Sequence, residues 1–229
     1  MNASYPQHTR REPPATVSCG SDLSALWAYQ LDALQRFTLA LGTLVERGQD
    51  ALAHEADGLP PLLHAPYQLV LDGATLHPPT NYRLLRVSGP TSGPARARRP
   101  IIVLDPRAGH GPGIGGMRPE SEVGVALALG HPVYVVAFDA MPPPQQTLAD
   151  VLHTLRAFVE FVRARHPDEP PALYGNCQAG WAVALLSADC SGLTGPAVLN
   201  GSPLSYWAGE PGVNPARLAG GLLGGAWIT

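Results

Sequence analysis

Between residues 100 and 200 the chain alternates short apolar runs with longer amphipathic ones, and few architectures accept that order. Residues 101–104, 133–138, 172–174 and 197–199 are short and almost wholly apolar, and they read as buried strands. Residues 120–129, 147–165 and 181–187 read as helices between them. In the helix over 147–165, Leu148, Val151, Leu152, Leu155, Phe158, Val159 and Val162 recur on one face. Strands alternating with helices predict an α/β fold: a mostly parallel sheet with helices on both faces. Upstream, residues 67–71 and 82–87 flank DGATLHPPTN and suit an antiparallel hairpin at the start of that sheet.

The rest of the chain divides around this core. Residues 1–20 form a polar, proline-containing tail, 21–66 an N-terminal helical segment, and 67–229 the core. A helix is expected over 22–47, where Leu23, Leu26, Trp27, Leu31, Leu34, Phe37, Leu41 and Leu44 recur at helical spacing. Ser21 would cap its start and Gly48 would stop it, leaving 49–66 irregular. That stripe reads as packing against a core or a partner helix rather than as a cofactor site. The loop 88–100 carries Arg96, Arg98 and Arg99, which read as a solvated turn.

The most informative stretch is LYGNCQAGWA, residues 173–182. It sets Gly175, Cys177 and Gly180 between a strand and a helix, the thiol form of the G-x-S-x-G nucleophile elbow. A chain that turns so sharply holds the central residue in a strained conformation above the carboxyl edge of the sheet. The two glycines remove side chains where strand and helix approach. The Gln178 N–H, on the first turn of the helix, is placed to donate to a developing oxyanion. The competing reading is a structural cysteine buried beside a tight turn. Cys190, in the loop DCSGLTG, and Cys19, in the tail, lack this context.

A second signal is DPRAGHGPGIGG, residues 105–116, directly after a strand. Where a nucleophile elbow of this kind operates, the loop after the corresponding strand supplies the second oxyanion donor. Ala108, Gly109 and His110 are the candidates, with Gly109 and His110 foremost. The same loop contains G-x-G-x-x-G over 111–116, and Asp139 ends the next strand where a ribose-binding acid would stand. Against a dinucleotide site, PRAGH separates the strand from the first glycine, and the helix begins only after Met117-Arg118-Pro119.

GNCQAGWA, DPRAGHGPGIGG with SEVGVAL after it, and GHPVYVVAF resemble the poly(3-hydroxyalkanoate) synthase-like branch of the α/β-hydrolases, and within it a bacterial group of synthetase-like proteins of unknown function. The resemblance runs from about residue 22 to 207. It implies an α/β-hydrolase-type sheet and acyl transfer with Cys177 as nucleophile. It implies an acyl-CoA or ester substrate, with a 3-hydroxyacyl group held as a thioester and passed to a second hydroxyl. A thiol suits that chemistry because a thioester stays reactive enough to hand its acyl group on. Asn176, Asn200, Tyr206 and Trp207 are the substrate-binding candidates, Asn200 following the last strand and the aromatics lining an acyl pocket or packing.

The resemblance also implies an acid and a histidine after the nucleophile, in that order. Downstream of Cys177 stand only Asp189 and Glu210, and the last histidine is His166. The expectation is therefore a sheet truncated after the strand that follows the nucleophile helix. A fragment, a non-catalytic scaffold or interaction module, and a nucleotide-binding oxidoreductase module stand as alternatives to the enzyme. His110 is the one histidine expected near the cysteine, and Asp139 is an acid at the same edge. A partner chain would cover the open edge of such a sheet.

Composition limits what else the chain does. Net charge is −3 and charged residues are 14%, which gives no footprint for nucleic acid or an anionic membrane. No run of about 18 apolar residues predicts a membrane span. Three cysteines without regular spacing, and no secretory signal at the N-terminus, fit a reducing cytoplasmic setting. No metal site and no cofactor is expected.

Overall fold

The computed structural model describes residues 23–89, 98–107 and 115–205. The chain divides into two units, Met1–Ala53 and His54–Thr229. The first is described by one helix, α1 (Leu23–Ala56), which crosses the boundary. The helix does not stop at Gly48, as expected; it continues through residues 49–56. A single glycine inside a helix costs only about 1 kcal/mol, and the good helix formers Ala51, Leu52 and Ala53 follow it. The stop is Gly58, at φ 80°, with the Gly58 N–H donating to the Glu55 carbonyl and the Leu59 N–H to that of His54.

In the second unit one sheet holds β1 (Tyr67–Asp72), β2 (Tyr82–Val87), β3 (Ile101–Leu104), β4 (Val133–Phe138), β5 (Ala172–Asn176) and β6 (Ala197–Asn200). Their spatial order is β1-β2-β4-β3-β5-β6. The β1–β2 hairpin joins antiparallel to β4, and β4, β3, β5 and β6 run parallel. This is the mixed, mostly parallel sheet expected of an α/β-hydrolase-type fold. Helices α2 (Glu122–Ala128), α3 (Leu148–Arg165) and α4 (Gly180–Asp189) connect the parallel strands.

The strand residues alternate between two cores. Leu84, Ile102, Leu104, Tyr134 and Val136 pack with Val151, Leu155, Phe158, Val159 and Val162 of α3 and Val183 and Leu186 of α4. Leu85, Val87, Val103, Val133 and Val135 pack with Val123, Ala126 and Leu127 of α2. β4 is buried at all six positions, which is why it lacks a polar face. Leu148, expected to face inward, is 60% exposed. It is the first residue of α3, before the helix reaches the sheet. Thr154 takes a core position instead, accepting from the Thr80 hydroxyl at 3.0 Å. A capping box fixes the start of α3: the Thr147 hydroxyl accepts from the Asp150 N–H, and the Asp150 carboxylate from the Thr147 N–H.

Candidate active site

The carboxyl edge of the parallel strands gathers most of the described candidates. Cys177 follows β5 directly and opens a 3-10 turn, Cys177–Ala179, that runs into α4. Its φ is 51°, in the left-handed region that costs a residue with a β-carbon about 1–3 kcal/mol. It is exposed, so burial does not offset that cost. Cys190 contrasts: it is fully buried at the end of α4, and burial raises its thiol pKa.

The glycines around Cys177 are required by contact. A β-carbon on Gly175 would meet Val183 Cγ2 at 2.7 Å and the Ala179 carbonyl carbon at 3.1 Å. One on Gly180 would collide with the Ser202 side chain. Gly175 lets α4 lie this close to β5, and Gly180 lets the segment after β6 pass against the start of α4.

Asn176 precedes the turn but does not cap it. Its carboxamide oxygen accepts instead from Asn200 Nδ2 at 3.2 Å, across the β5–β6 pairing. Asn200 Nδ2 also lies 3.3 Å from the Tyr174 hydroxyl, which donates to Glu122 Oε1 at 3.3 Å. Burial and the neighbouring Glu122 carboxylate raise the Tyr174 pKa. The structure thus brings Asn176, Asn200 and Cys177 together at one edge. Gln178 sits in the turn itself and is exposed.

Gly109 and His110 lie outside the described residues, as do Ala108, Tyr206 and Trp207. The loop that carries the first two leaves β3, whose Leu104 pairs with Gly175, so it starts on the strand beside the elbow. Its first turn holds a residue that the sequence did not single out. Arg107 has φ 56°, its N–H donates to Asp105 Oδ1 at 2.9 Å, and its guanidinium donates to the Tyr82 hydroxyl at 3.3 Å. The same guanidinium lies over the Tyr82 and Phe138 rings, 5.6 and 4.8 Å from their centroids. Nothing in PRAG announces this, because the two rings come from β2 and β4.

Asp139, the ribose-binding acid of the dinucleotide reading, is held by an ion pair with Arg83 and by Asn81, which accepts from its N–H. The helix beyond the glycine loop begins at Glu122, capped by Ser121, six residues past Gly116. His131 stands before β4, bonded through Nδ1 to the Arg99 carbonyl. His166 ends α3 beside the Tyr134 hydroxyl. His153 lies within α3 and is exposed. His131 and His166 therefore stand at the amino edge of the parallel strands, opposite Cys177. A groove of about 480 Å³, lined by Ile101, Val103, Val125, Leu129 and Tyr174 among others, lies on the α2 side of the sheet, and Cys177 does not line it. Among the described residues no group of three His, Cys, Asp or Glu side chains is placed to hold a metal ion. No described helix is long and apolar enough to cross a membrane.

Residues 32–229 match the model of a family described as "Protein of unknown function (DUF3141)". A Rhizobium meliloti protein, "Uncharacterized protein in ackA 5'region", is 46% identical over 210 residues. That match takes in 90% of this chain, which spans 29% of the relative's length. Among solved structures, the chain is similar to a membrane phospholipase A described as a novel bacterial virulence factor, at TM-score 0.38 and 15% identity. That match covers 75% of this chain and 51% of the phospholipase. It is also similar to EstE5 soaked with p-nitrophenyl butyrate, at TM-score 0.36 and 14% identity, over 59% and 43% of the two chains.

Proposed function

The chain belongs to the family of proteins of unknown function DUF3141, and we propose that its core is an acyl-transfer domain in which the Cys177 thiol takes an acyl group from a thioester. One observation carries this reading: an exposed cysteine held at φ 51° where β5 turns into α4. A structural cysteine gains its place by burial, as Cys190 does, and has no use for that backbone conformation. A nucleophile does, because the turn lifts its sulfur clear of the strand.

The sulfur attacks the carbonyl carbon of an acyl-CoA, and the electron pair moves to the oxygen. The Gln178 N–H and an N–H from Gly109 or His110 receive that oxyanion. Gln178 stands in the turn directly after Cys177, where its N–H faces the position such an oxygen would take in a nucleophile elbow. The carbon–sulfur bond to CoA breaks, CoA leaves as the thiol, and the acyl group stays on Cys177. A second hydroxyl then attacks the new thioester, forms an ester and returns the thiol. The substrate class, a 3-hydroxyacyl thioester polymerised to polyester, rests on the motif resemblance. His110 is the base candidate, and Tyr206 and Trp207 are the acyl-pocket candidates. The free thiols Cys177 and Cys190 accord with a cytoplasmic setting. β6 is exposed at all four positions, and a partner chain is the cover this reading expects there.

The test is release of free CoA from a 3-hydroxyacyl-CoA. The wild-type chain is expected to release it, and Cys177→Ala is expected to release none above background. Equal release by both would remove the sulfur from the chemistry.

A further inference from the structure

The surface of α1 is unlike that of an ordinary helix facing water. Eleven of its large apolar side chains are 46–68% exposed. Trp27, Leu31, Leu34, Thr38, Leu41, Val45, Gly48 and Leu52 follow one another at alternating steps of four and three. Six of these eight are large and apolar, so one apolar stripe runs the length of the helix in the four-three spacing of a heptad seam.

We propose that α1 pairs with α1 of a second copy of this chain. With this seam as the a and d positions of a heptad, the e and g positions are Ala28, Gln35, Gly42 and Gln49, and Gln30, Phe37, Leu44 and Ala51. None is charged. An identical copy therefore meets no like charge across the seam, and a partner of opposite charge finds nothing to match. The acids and arginines that accompany the seam, Asp32, Arg36, Glu46, Arg47 and Asp50, take the outer b, c and f positions. Asp32 and Arg36 pair with each other at 2.8 Å. Four acids against two arginines on the whole helix disfavour an anionic lipid surface, which recruits basic amphipathic helices.

The surface is large enough. Trp27, Leu31, Leu34, Phe37, Leu41, Leu44, Val45 and Leu52 form the seam and its g flank and are 46–68% exposed. Together their exposed fractions amount to about five whole apolar side chains per helix, on the order of the ~800 Å² per partner of a standard interface. Phe37 and Leu44 at g widen the apolar face beyond a two-stranded seam, so a pair of pairs is as compatible as a dimer.

The experiment is sedimentation velocity on the full chain at micromolar concentration, with the double variant Leu34→Glu/Leu41→Glu and the control Leu39→Glu. Leu39 is as exposed as the seam residues but lies at b. Wild type and control are expected to sediment as the same dimer or tetramer, and the seam variant as a monomer with an unchanged near-ultraviolet spectrum of the core. If the double glutamate variant does not fold, co-purification of two differently tagged wild-type copies, reduced in Leu34→Ala/Leu41→Ala, carries the same test. A monomeric wild type, a control that dissociates like the seam variant, or a monomer that co-sediments with phosphatidylcholine or phosphatidylserine vesicles would overturn the proposal.

Discussion

At the scale of single residues, two side chains stand at positive φ on adjacent strand ends, Cys177 at 51° and Arg107 at 56°. For Cys177 the backbone makes a direct prediction. Glycine adopts that conformation freely and alanine does not, so Cys177→Gly should unfold about 1 kcal/mol later than Cys177→Ala. Urea titration measures the difference; Ala equal to or above Gly would mean that the turn is unstrained. Gly175→Ala should cost about 1–3 kcal/mol, because Val183 and the Ala179 backbone occupy the space of the new methyl. The strand-to-helix turn at Cys177 was legible in the sequence because G-x-C-x-G between an apolar run and a helical one is a local pattern. Arg107 was not, since its setting is built by Tyr82 and Phe138 from two other strands. The candidates Gly109, His110, Tyr206 and Trp207 lie outside the described residues.

At the scale of elements, helix ends were the hardest to read, and capping chemistry says why. Gly48 and Gly58 look alike in sequence, yet only Gly58 takes positive φ and ends α1. The apolar stripe alone placed the start of α3 near residue 147, and the structure fixes it with a capping box of Thr147 and Asp150. Thr147→Ala should lower stability by about 1 kcal/mol, seen in thermal unfolding. The same box carries a pH signature. Hydrogen bonds from the Thr147 N–H and hydroxyl lower the Asp150 pKa in the folded chain. A depressed carboxylate stabilises the fold above its unfolded pKa, and that stability is lost as pH falls through the folded value. Asp150→Asn should therefore flatten the acid limb of the stability curve and leave the neutral plateau nearly parallel to wild type. An acid limb unchanged in the variant would deny Asp150 that part.

At the scale of the whole molecule, the α/β class followed from the alternation of runs, but the strand order did not. Nothing local says that β4 inserts between β2 and β3, since burial at all six of its positions fits any interior slot. The one strand exposed throughout, β6, carries Val198 and Leu199 at 44% and 39% exposure on an edge unpaired among the described residues. Val198→Lys should slow aggregation of the chain on heating while leaving its unfolding midpoint nearly unchanged; light scattering follows the first and circular dichroism the second. The proposed chemistry belongs to the edge around Cys177, within the second unit. Peptide mass spectrometry after brief exposure to a 3-hydroxyacyl-CoA addresses that chemistry most directly. The account predicts one acyl adduct, on the peptide containing Cys177, absent from Cys177→Ser under thioester-selective conditions and never on the buried Cys190. An unmodified Cys177, or acylation spread over other side chains at equal rates, would contradict it.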